Sequence, residues 1–327
     1  MKKLQILVPH YKEDASVIKP LLDSLAIQQN VDFNAIGVII CHDGEESLDF
    51  KEDFIKNYSY EIKQVRIPHS GVSAARNGAL DASDAEYIMF CDCDDMFYNA
   101  CGLWIIFREM EQGFDSLTSV FIEETRLPET KEITYINREM DSTFVHGKIH
   151  RRQYLLDNSI RWNPNLTIHE DSFFNILCQN LSDKVKYCIA PFYLWKWRDD
   201  SVCRHDPKYI LKTYNNMIDS NDALIDEFIK RGLQDKASFY TAFMIFDAYY
   251  TMNKPEWINQ DNKNYRDNVE KRFAKYYIKR KDLWKQLTPQ EKMQISNSVR
   301  TRSVNEGMMM EAITIDAWLK KITRKKK

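Results

Sequence analysis

The sequence has no long hydrophobic run. Nothing in its 327 residues approaches the roughly 20 consecutive apolar positions that span a bilayer. The N-terminal stretch Met1-Lys2-Lys3-Leu4-Gln5-Ile6-Leu7-Val8-Pro9 has too short an apolar segment for a secretory leader and runs straight into Lys12-Glu13-Asp14. These absences point to a soluble, cytoplasmic protein. Glycine and proline are scarce, nine of each, which excludes a loop-rich β scaffold and favours helices and long strands. The seven cysteines, at 41, 91, 93, 101, 178, 188 and 203, are odd in number and form no Cys-x-x-Cys pair. Neither a disulfide framework nor a zinc ribbon fits, and the thiols read as core residues. Gly-x-Gly-x-x-Gly and Walker loops are also missing, so a dinucleotide or P-loop enzyme has no support.

What is present is a globular composition, 44% hydrophobic and 29% charged, on a chain long enough for one large or two modest domains. The formal net charge of −2 conceals a polarity. Residues 264–327 hold 17 Lys+Arg against 7 Asp+Glu, a balance of +10, and residues 1–263 hold 29 against 41, a balance of −12. A basic end on an acidic body suits an anionic partner, either nucleic acid or an anionic membrane surface. The rival reading is a solvated helical face with a frayed terminus, Arg324-Lys325-Lys326-Lys327.

The first 120 residues alternate strand and helix patterns. Short apolar runs at 4–8, 36–41, 61–67 and 87–91 read as strands; Val17, Leu21, Leu22 and Leu25 repeat at helical spacing, and 72–82 is an alanine-rich helix. Such alternation predicts an α/β fold with a mainly parallel sheet flanked by helices, whose ligand site lies beyond the carboxyl ends of the strands. Polar residues collect at those ends: His10, Asp43, His69, and Asp92-Cys93-Asp94-Asp95. From 115 to 205 the pattern mixes strands at 116–123 and 132–136 with helices at 152–158 and 171–180. Beyond Pro207 the chain reads as helical, at 211–231, 238–252, 265–277, 289–302 and 307–322. The expected division is an α/β part over 1–205, with halves 1–100 and 101–205, and an all-helical extension over 206–327.

Asp92-Cys93-Asp94-Asp95 places three carboxylates within four residues, which repel one another unless a cation compensates. A hard divalent ion with open coordination positions does so and also bridges nucleotide phosphates. The competing role is a helix cap, for which one aspartate suffices. In Gly71-Val72-Ser73-Ala74-Ala75-Arg76-Asn77-Gly78, small residues let a helix start approach a ligand, and Arg76 offers a planar cation to a phosphate or base edge.

Taken in order, Val8-Pro9-His10-Tyr11, His42-Asp43-Gly44-Glu45, Gly71 to Gly78, Phe90-Cys91-Asp92-Cys93-Asp94-Asp95, His146-Gly147-Lys148, Ile168-His169-Glu170-Asp171-Ser172-Phe173-Phe174 and Pro191-Phe192-Tyr193-Leu194 through Ser201 resemble the motifs of family 2 glycosyltransferases with the GT-A (Rossmann-like) fold. The resemblance covers about residues 4–205. It implies a metal-dependent, inverting transfer of a sugar from a nucleotide-diphosphate donor. It implies that Asp92 and Asp94 hold Mn²⁺ or Mg²⁺ on the diphosphate, with Cys93 between them at the nucleotide sugar. Pro9 and Tyr11 fall beside base and ribose, and Arg76 with Asn77 near the nucleotide. The family's acid–acid–Gly–Ser turn is replaced here by His42-Asp43-Gly44-Glu45, so only Asp43 carries over; a UDP-sugar remains the favoured donor.

The same resemblance makes Asp171 the catalytic base, with Glu170 holding the acceptor or orienting its neighbours. An attacking hydroxyl of high pKa must lose its proton, and a carboxylate opposite the leaving diphosphate takes it. The rival role for this pair is a capped helix start. His205 stands where related enzymes complete the metal or diphosphate site; otherwise it is a surface or packing histidine. Arg198 and Arg204 are diphosphate candidates. Trp195 and Trp197 form either a sugar platform or part of the core.

The acceptor is not set by the family. Ala312, Ile315, Leu319 and Ile322 recur at helical spacing beside Trp318, Lys320 and Lys321. Such a basic amphipathic helix within 308–327 suits peripheral contact with an anionic surface bearing a glycan or lipid-linked glycan acceptor. The same charge suits a phosphate backbone, making the acceptor a hydroxylated base in DNA, as for some bacteriophage enzymes. Packing against the catalytic part or a second subunit is the third option, and a surface glycan is the leading acceptor. Two other classes compete: a nucleotidyltransferase, although His10-Tyr11-Lys12-Glu13 is not its glycine-rich basic loop, and a non-catalytic carbohydrate- or nucleic-acid-binding module.

Overall fold

The computed structural model describes residues 1–327 apart from 48, 128, 140, 200–208, 259–261, 305–313 and 325–327. The chain divides into two compact units, Met1–His205 and Asp206–Lys327.

In the first unit, β1 (Leu4–His10) and β2 (Ile36–Asp43) are buried at every position, as expected of strands with helices on both faces. The intervening α1 (Ala15–Ala26) starts where the Asp14 carboxylate accepts the Ser16 amide proton, and it drives Ile18, Leu21, Leu22 and Leu25 into the core. After the short α2 (Glu52–Ile55), β3 (Glu61–Ile67) forms the half-exposed edge. Then α3 (Val72–Ala82) crosses back to β4 (Tyr87–Phe90). These strands lie in the order β3-β2-β1-β4, all parallel. The order reverses at β1 and β4, which opens a crevice beyond their carboxyl ends.

Past β4 the sheet changes character. It adds β5 (Met96–Phe97), β6 (Ser116–Arg126), β7 (Ile133–Arg138), β8 (Lys148–Arg151) and β9 (Val185–Trp195), with α4 (Gly102–Met110), α5 (Arg152–Asp157) and α6 (Glu170–Asn180) between them. β8 pairs antiparallel with both β4 and β6, β9 runs parallel to β6, and β5 and β7 are antiparallel to β9 and β6. The parallel character expected from the sequence therefore holds for the first four strands, and the complete nine-stranded sheet is mixed.

In the second unit, α7 (Tyr209–Lys212), α8 (Tyr214–Lys230), α9 (Gln234–Met252), α10 (Pro255–Ile258), α11 (Lys263–Gln286), α12 (Pro289–Val304) and α13 (Ile315–Arg324) pack together. Arg280 is buried and pairs with both Asp222 and Asp226, while the Tyr214 and Tyr276 hydroxyls donate to Asp247 and Asn221. The apolar stripe of α13 is consumed within this unit: Trp318, Leu319 and Ile322 are buried, and Trp318 packs on Tyr249 and Phe273. This corrects the expectation of an amphipathic face open to a membrane. Lys320, Lys321 and Arg324 remain exposed, and Ala312 lies outside the described residues. No helix among the described residues is long and apolar enough to cross a membrane.

Candidate active site

The loops after β1, β2 and β4 meet the start of α3 at the crevice. After β1, Tyr11 projects with 40% exposure, its ring stacked on His69 at 4.7 Å with Lys12 Nζ over it at 4.9 Å. After β2, Asp43 is buried and fully engaged. Its carboxylate accepts the Ser70 amide at 2.7 Å and the Gly71 amide at 2.9 Å, with His69 Nδ1 at 3.0 Å. Asp43 thus fixes the start of α3. The turn needs Gly44 beside it: φ is +93° and a Cβ there would meet His69 Cβ at 2.8 Å.

Arg76, one turn into α3, is the hub. Its buried guanidinium donates from Nη2 to Asp92 Oδ1 at 2.8 Å and from Nη1 to Glu170 Oε1 at 3.1 Å, and lies 4.4 Å from the Trp162 ring centre. Burial opposes its charge, but Asp92, Glu170 and Asp171 hold it protonated. The structure thereby brings the acidic turn after β4 and the acid pair at the start of α6 to opposite ends of one guanidinium. Trp162 is itself stacked on Phe174 of α6 at 4.2 Å, which braces the assembly.

The acids have distinct surroundings. Burial would raise Asp92, but Arg76 outweighs it and holds the carboxyl below the usual range. Burial and the neighbouring Asp92 charge push Asp94 up, although Arg198 Nη1 donates to its Oδ2 at 3.1 Å. Asp95 is pushed well above the carboxylate range by burial and by Asp94 and Asp92, despite bonds from the Tyr193 hydroxyl at 2.5 Å and the Lys196 amide at 3.0 Å. His146 lies beside this turn, Nδ1 3.6 Å from Asp95 Oδ2, its ring stacked on Trp195 at 4.9 Å. Burial pushes it down to about 3, so it is a neutral imidazole. Asp92, Asp95 and His146 present ligand atoms within 4.8 Å of one another. An ionised Asp92, an Asp95 driven toward its neutral form by burial and by its neighbours' charges, and a neutral imidazole make a donor set that suits a hard divalent cation such as Mn²⁺ or Mg²⁺.

At the second acid pair, His169 adopts a left-handed backbone, φ +64°, a conformation uncommon outside glycine and concentrated at functional sites. It turns Glu170 and Asp171 inward on the first turn of α6. Burial and the adjacent Asp171 push Glu170 up to about 7, against the pull of Arg76. Asp171 Oδ2 accepts the Val145 amide at 3.3 Å. Behind it, Lys148 of β8 is buried, its Nζ without a hydrogen-bond partner among the described residues. Burial pushes that ammonium down to about 8, with Asp141 and Asp171 holding it up.

Several residues expected at the nucleotide are occupied otherwise. Asn77 spends its amide on the Trp162 backbone, donating to the carbonyl at 2.9 Å and accepting from the amide at 3.0 Å. Cys93 is buried in the hydrophobic core. Pro9 is the penultimate residue of the fully buried β1. Asp94 pairs with Arg198 and stands outside the trio made by Asp92, Asp95 and His146. His205 and Arg204 lie outside the described residues. The sequence marks Asp95 as part of the acidic cluster but singles out none of His146, Lys148, Trp162 and Tyr193 as individual residues of this crevice. His146, Lys148 and Tyr193 stood within recognised motifs, whereas nothing local marks Trp162, which reaches the site only by helix packing.

The open α/β sheet with an acidic turn beyond its switch point has the GT-A transferase fold. Residues 5–167 match the model of glycosyl transferase family 2, and the chain belongs to that family. Among curated relatives it is 29% identical over 212 residues to the teichoic acid poly(glycerol phosphate) polymerase of Staphylococcus epidermidis, covering 59% of this chain and 28% of that one. It is 26% identical over 205 residues to the poly(ribitol-phosphate) beta-N-acetylglucosaminyltransferase TarS of Staphylococcus aureus, covering 57% and 35%. The matched stretch thus spans about a third of these relatives' length. The solved structure of S. aureus TarS 1–349 superposes with a TM-score of 0.63 at 16% identity, covering 92% of each chain; a TarS structure with UDP-GlcNAc gives 0.58 at 18%.

Proposed function

We propose that this protein transfers a sugar from a UDP-sugar, with inversion, to a hydroxyl of a polyol-phosphate or related cell-wall glycopolymer. The observation carrying this reading is the Arg76 bridge, which ties Asp92 of the acidic turn and Glu170 of the second acid pair to one guanidinium and so puts the proposed donor and acceptor acids at one crevice. Tyr11 and the Asp43 turn would receive the nucleotide. Asp92, Asp95 and His146, with Asp94 alongside, would hold Mn²⁺ or Mg²⁺ at the diphosphate. A bound divalent cation there supplies charge neutralisation for the departing nucleotide diphosphate.

The chain's own residues do the rest. Asp171 takes the proton from the acceptor hydroxyl as its oxygen attacks the anomeric carbon and the bond to the diphosphate breaks on the opposite face. Glu170, held near neutrality, positions the acceptor by hydrogen bonding, and Trp195 offers the sugar an apolar face. The polymer class is supported by the activities for which the relatives are named and by the +10 balance of residues 264–327, which suits a polyphosphate.

The test is to incubate the protein with UDP-GlcNAc and Mn²⁺ alongside poly(ribitol phosphate), a neutral glycan, and hydroxymethylated DNA, and to identify products by mass spectrometry and their anomeric form by NMR. A β-linked sugar on the polyol phosphate is expected. Transfer only to DNA would replace the acceptor, retention of configuration would remove the single-displacement scheme, and pyrophosphate release from a nucleoside triphosphate would replace the reaction class.

A further inference from the structure

His10 and His42 lie outside the catalytic scheme, yet their side chains are completely buried and in direct contact, Nδ1 to Nδ1 at 2.9 Å. They sit at the matched ends of β1 and β2, paired in register. The proton count of this pair is fixed by its outer partners. His10 Nε2 lies 2.7 Å from the Glu13 carbonyl oxygen, which only accepts, so Nε2 carries a proton. His42 Nε2 lies 3.0 Å from Gln64 Oε1. That amide cannot be turned round: its Oε1 accepts the Phe50 amide at 2.8 Å and its Nε2 donates to the Phe50 carbonyl at 3.1 Å. His42 Nε2 therefore also carries a proton. The central Nδ1–Nδ1 contact needs one more. Three protons on four ring nitrogens make one ring an imidazolium and give the pair a charge of +1.

The charges around the pair carry both signs. From the loop after β1, Glu13 Oε2 lies 3.7 Å from His10 Nε2, and from the loop after β2, Asp49 Oδ1 lies 3.5 Å from His42 Nε2. From β3, Arg66 pairs with Asp49 and faces the same region with opposite sign. Phe50 closes the pocket, 4.8 Å from His10 and 5.8 Å from His42. Burial pushes His42 below the ordinary imidazole range, the Gln64 bond and Asp49 oppose this, and His10 and Arg66 reinforce it.

The pair underlies the two loops assigned above to the nucleotide. The His10 bond to Glu13 closes the turn carrying Tyr11, whose amide donates to Glu13 Oε2 at 2.7 Å, and His42 immediately precedes Asp43. We propose that His10 and His42 are positioning residues: sharing three ring protons, they lock the Tyr11 turn against the Asp43 turn and set a positive charge beneath the nucleotide-sugar site. Loss of the shared proton would leave two acceptor nitrogens facing each other and loosen both turns. The positioning role rests on the nucleotide-sugar reading of this crevice; the shared proton does not.

The test has two arms. In protein labelled with ¹⁵N only at histidine, seven residues in all, long-range ¹H–¹⁵N spectra near pH 5.5 should show one doubly protonated ring coupled to a singly protonated neighbour, both absent in His42→Phe. Two ordinary neutral rings across about pH 5.5–8 would overturn the pair without any ligand having been added. Calorimetry with UDP-GlcNAc and Mn²⁺ is the second arm, because the diphosphate diester of this probe keeps its charge over that range. Affinity should weaken with rising pH, by up to about tenfold per pH unit above the pair's titration, and this slope should flatten in His42→Phe. An unchanged slope in the variant would overturn the positioning role while leaving the donor reading intact. A visible shared proton with no UDP-GlcNAc binding at any pH would overturn the donor reading, and the positioning role with it.

Discussion

Arg76 is the residue on which both acid groups depend. Replacing it with Met leaves Asp92 and Glu170 packed without their cation, and removing one partner of a buried ion pair costs about 3–5 kcal/mol. Chemical denaturation should register that loss. Arg76→Lys should recover only part of it, because one ammonium cannot reproduce the two divergent hydrogen bonds. Asp171→Asn addresses chemistry instead: UDP-GlcNAc binding by calorimetry should be retained while transfer falls by about 10²–10⁴, the usual contribution of a general base. Near-normal turnover would assign the proton to another group.

At the level of elements, β8 shows what burial demands. His150 is buried on this strand with Nδ1 3.1 Å from Ser116 Oγ, and burial pushes it down to about 3. An unfolded histidine takes up its proton near pH 6.5, so between there and about 3 the unfolded chain binds the extra proton. The contribution is full above about pH 6.5 and is lost as pH falls through that window, with His146 adding the same sign. His150→Gln should move the acid-unfolding midpoint, followed by circular dichroism, to lower pH. An unmoved midpoint would show that other groups set acid stability. β8 also marks the limit of what sequence reveals. β1, β2 and β4 were legible because continuous apolar runs ended in polar clusters. β8 has four residues, two of them His150 and Lys148, and β9 is half exposed with Pro191 inside it, so neither presents a buried run or clean alternation. The acids at strand ends were legible for the same reason as the strands. The spent amide of Asn77 and the buried thiol of Cys93 were not, because both are decided by partners far away in sequence.

For the molecule as a whole, the uneven charge is the feature with the clearest functional reach. Lys320, Lys321 and Arg324 are exposed on a helix whose other face holds the second unit together, so substitution tests them better than truncation, which would uncover Trp318, Leu319 and Ile322. Changing all three to Glu should weaken binding to poly(ribitol phosphate) and flatten its dependence on salt, while leaving UDP-GlcNAc affinity unchanged. An unaltered salt slope in a binding titration would place the polyanion elsewhere.

One cation answering to two acids has a thermodynamic corollary. Anything that draws Asp92 away from the shared guanidinium leaves Arg76 freer to grip Glu170, and a partner competing for Glu170 strengthens the hold on Asp92 by an equal free energy. Under the function proposed above, occupancy on one side of the crevice would alter affinity on the other, without a hinge or lid having to move.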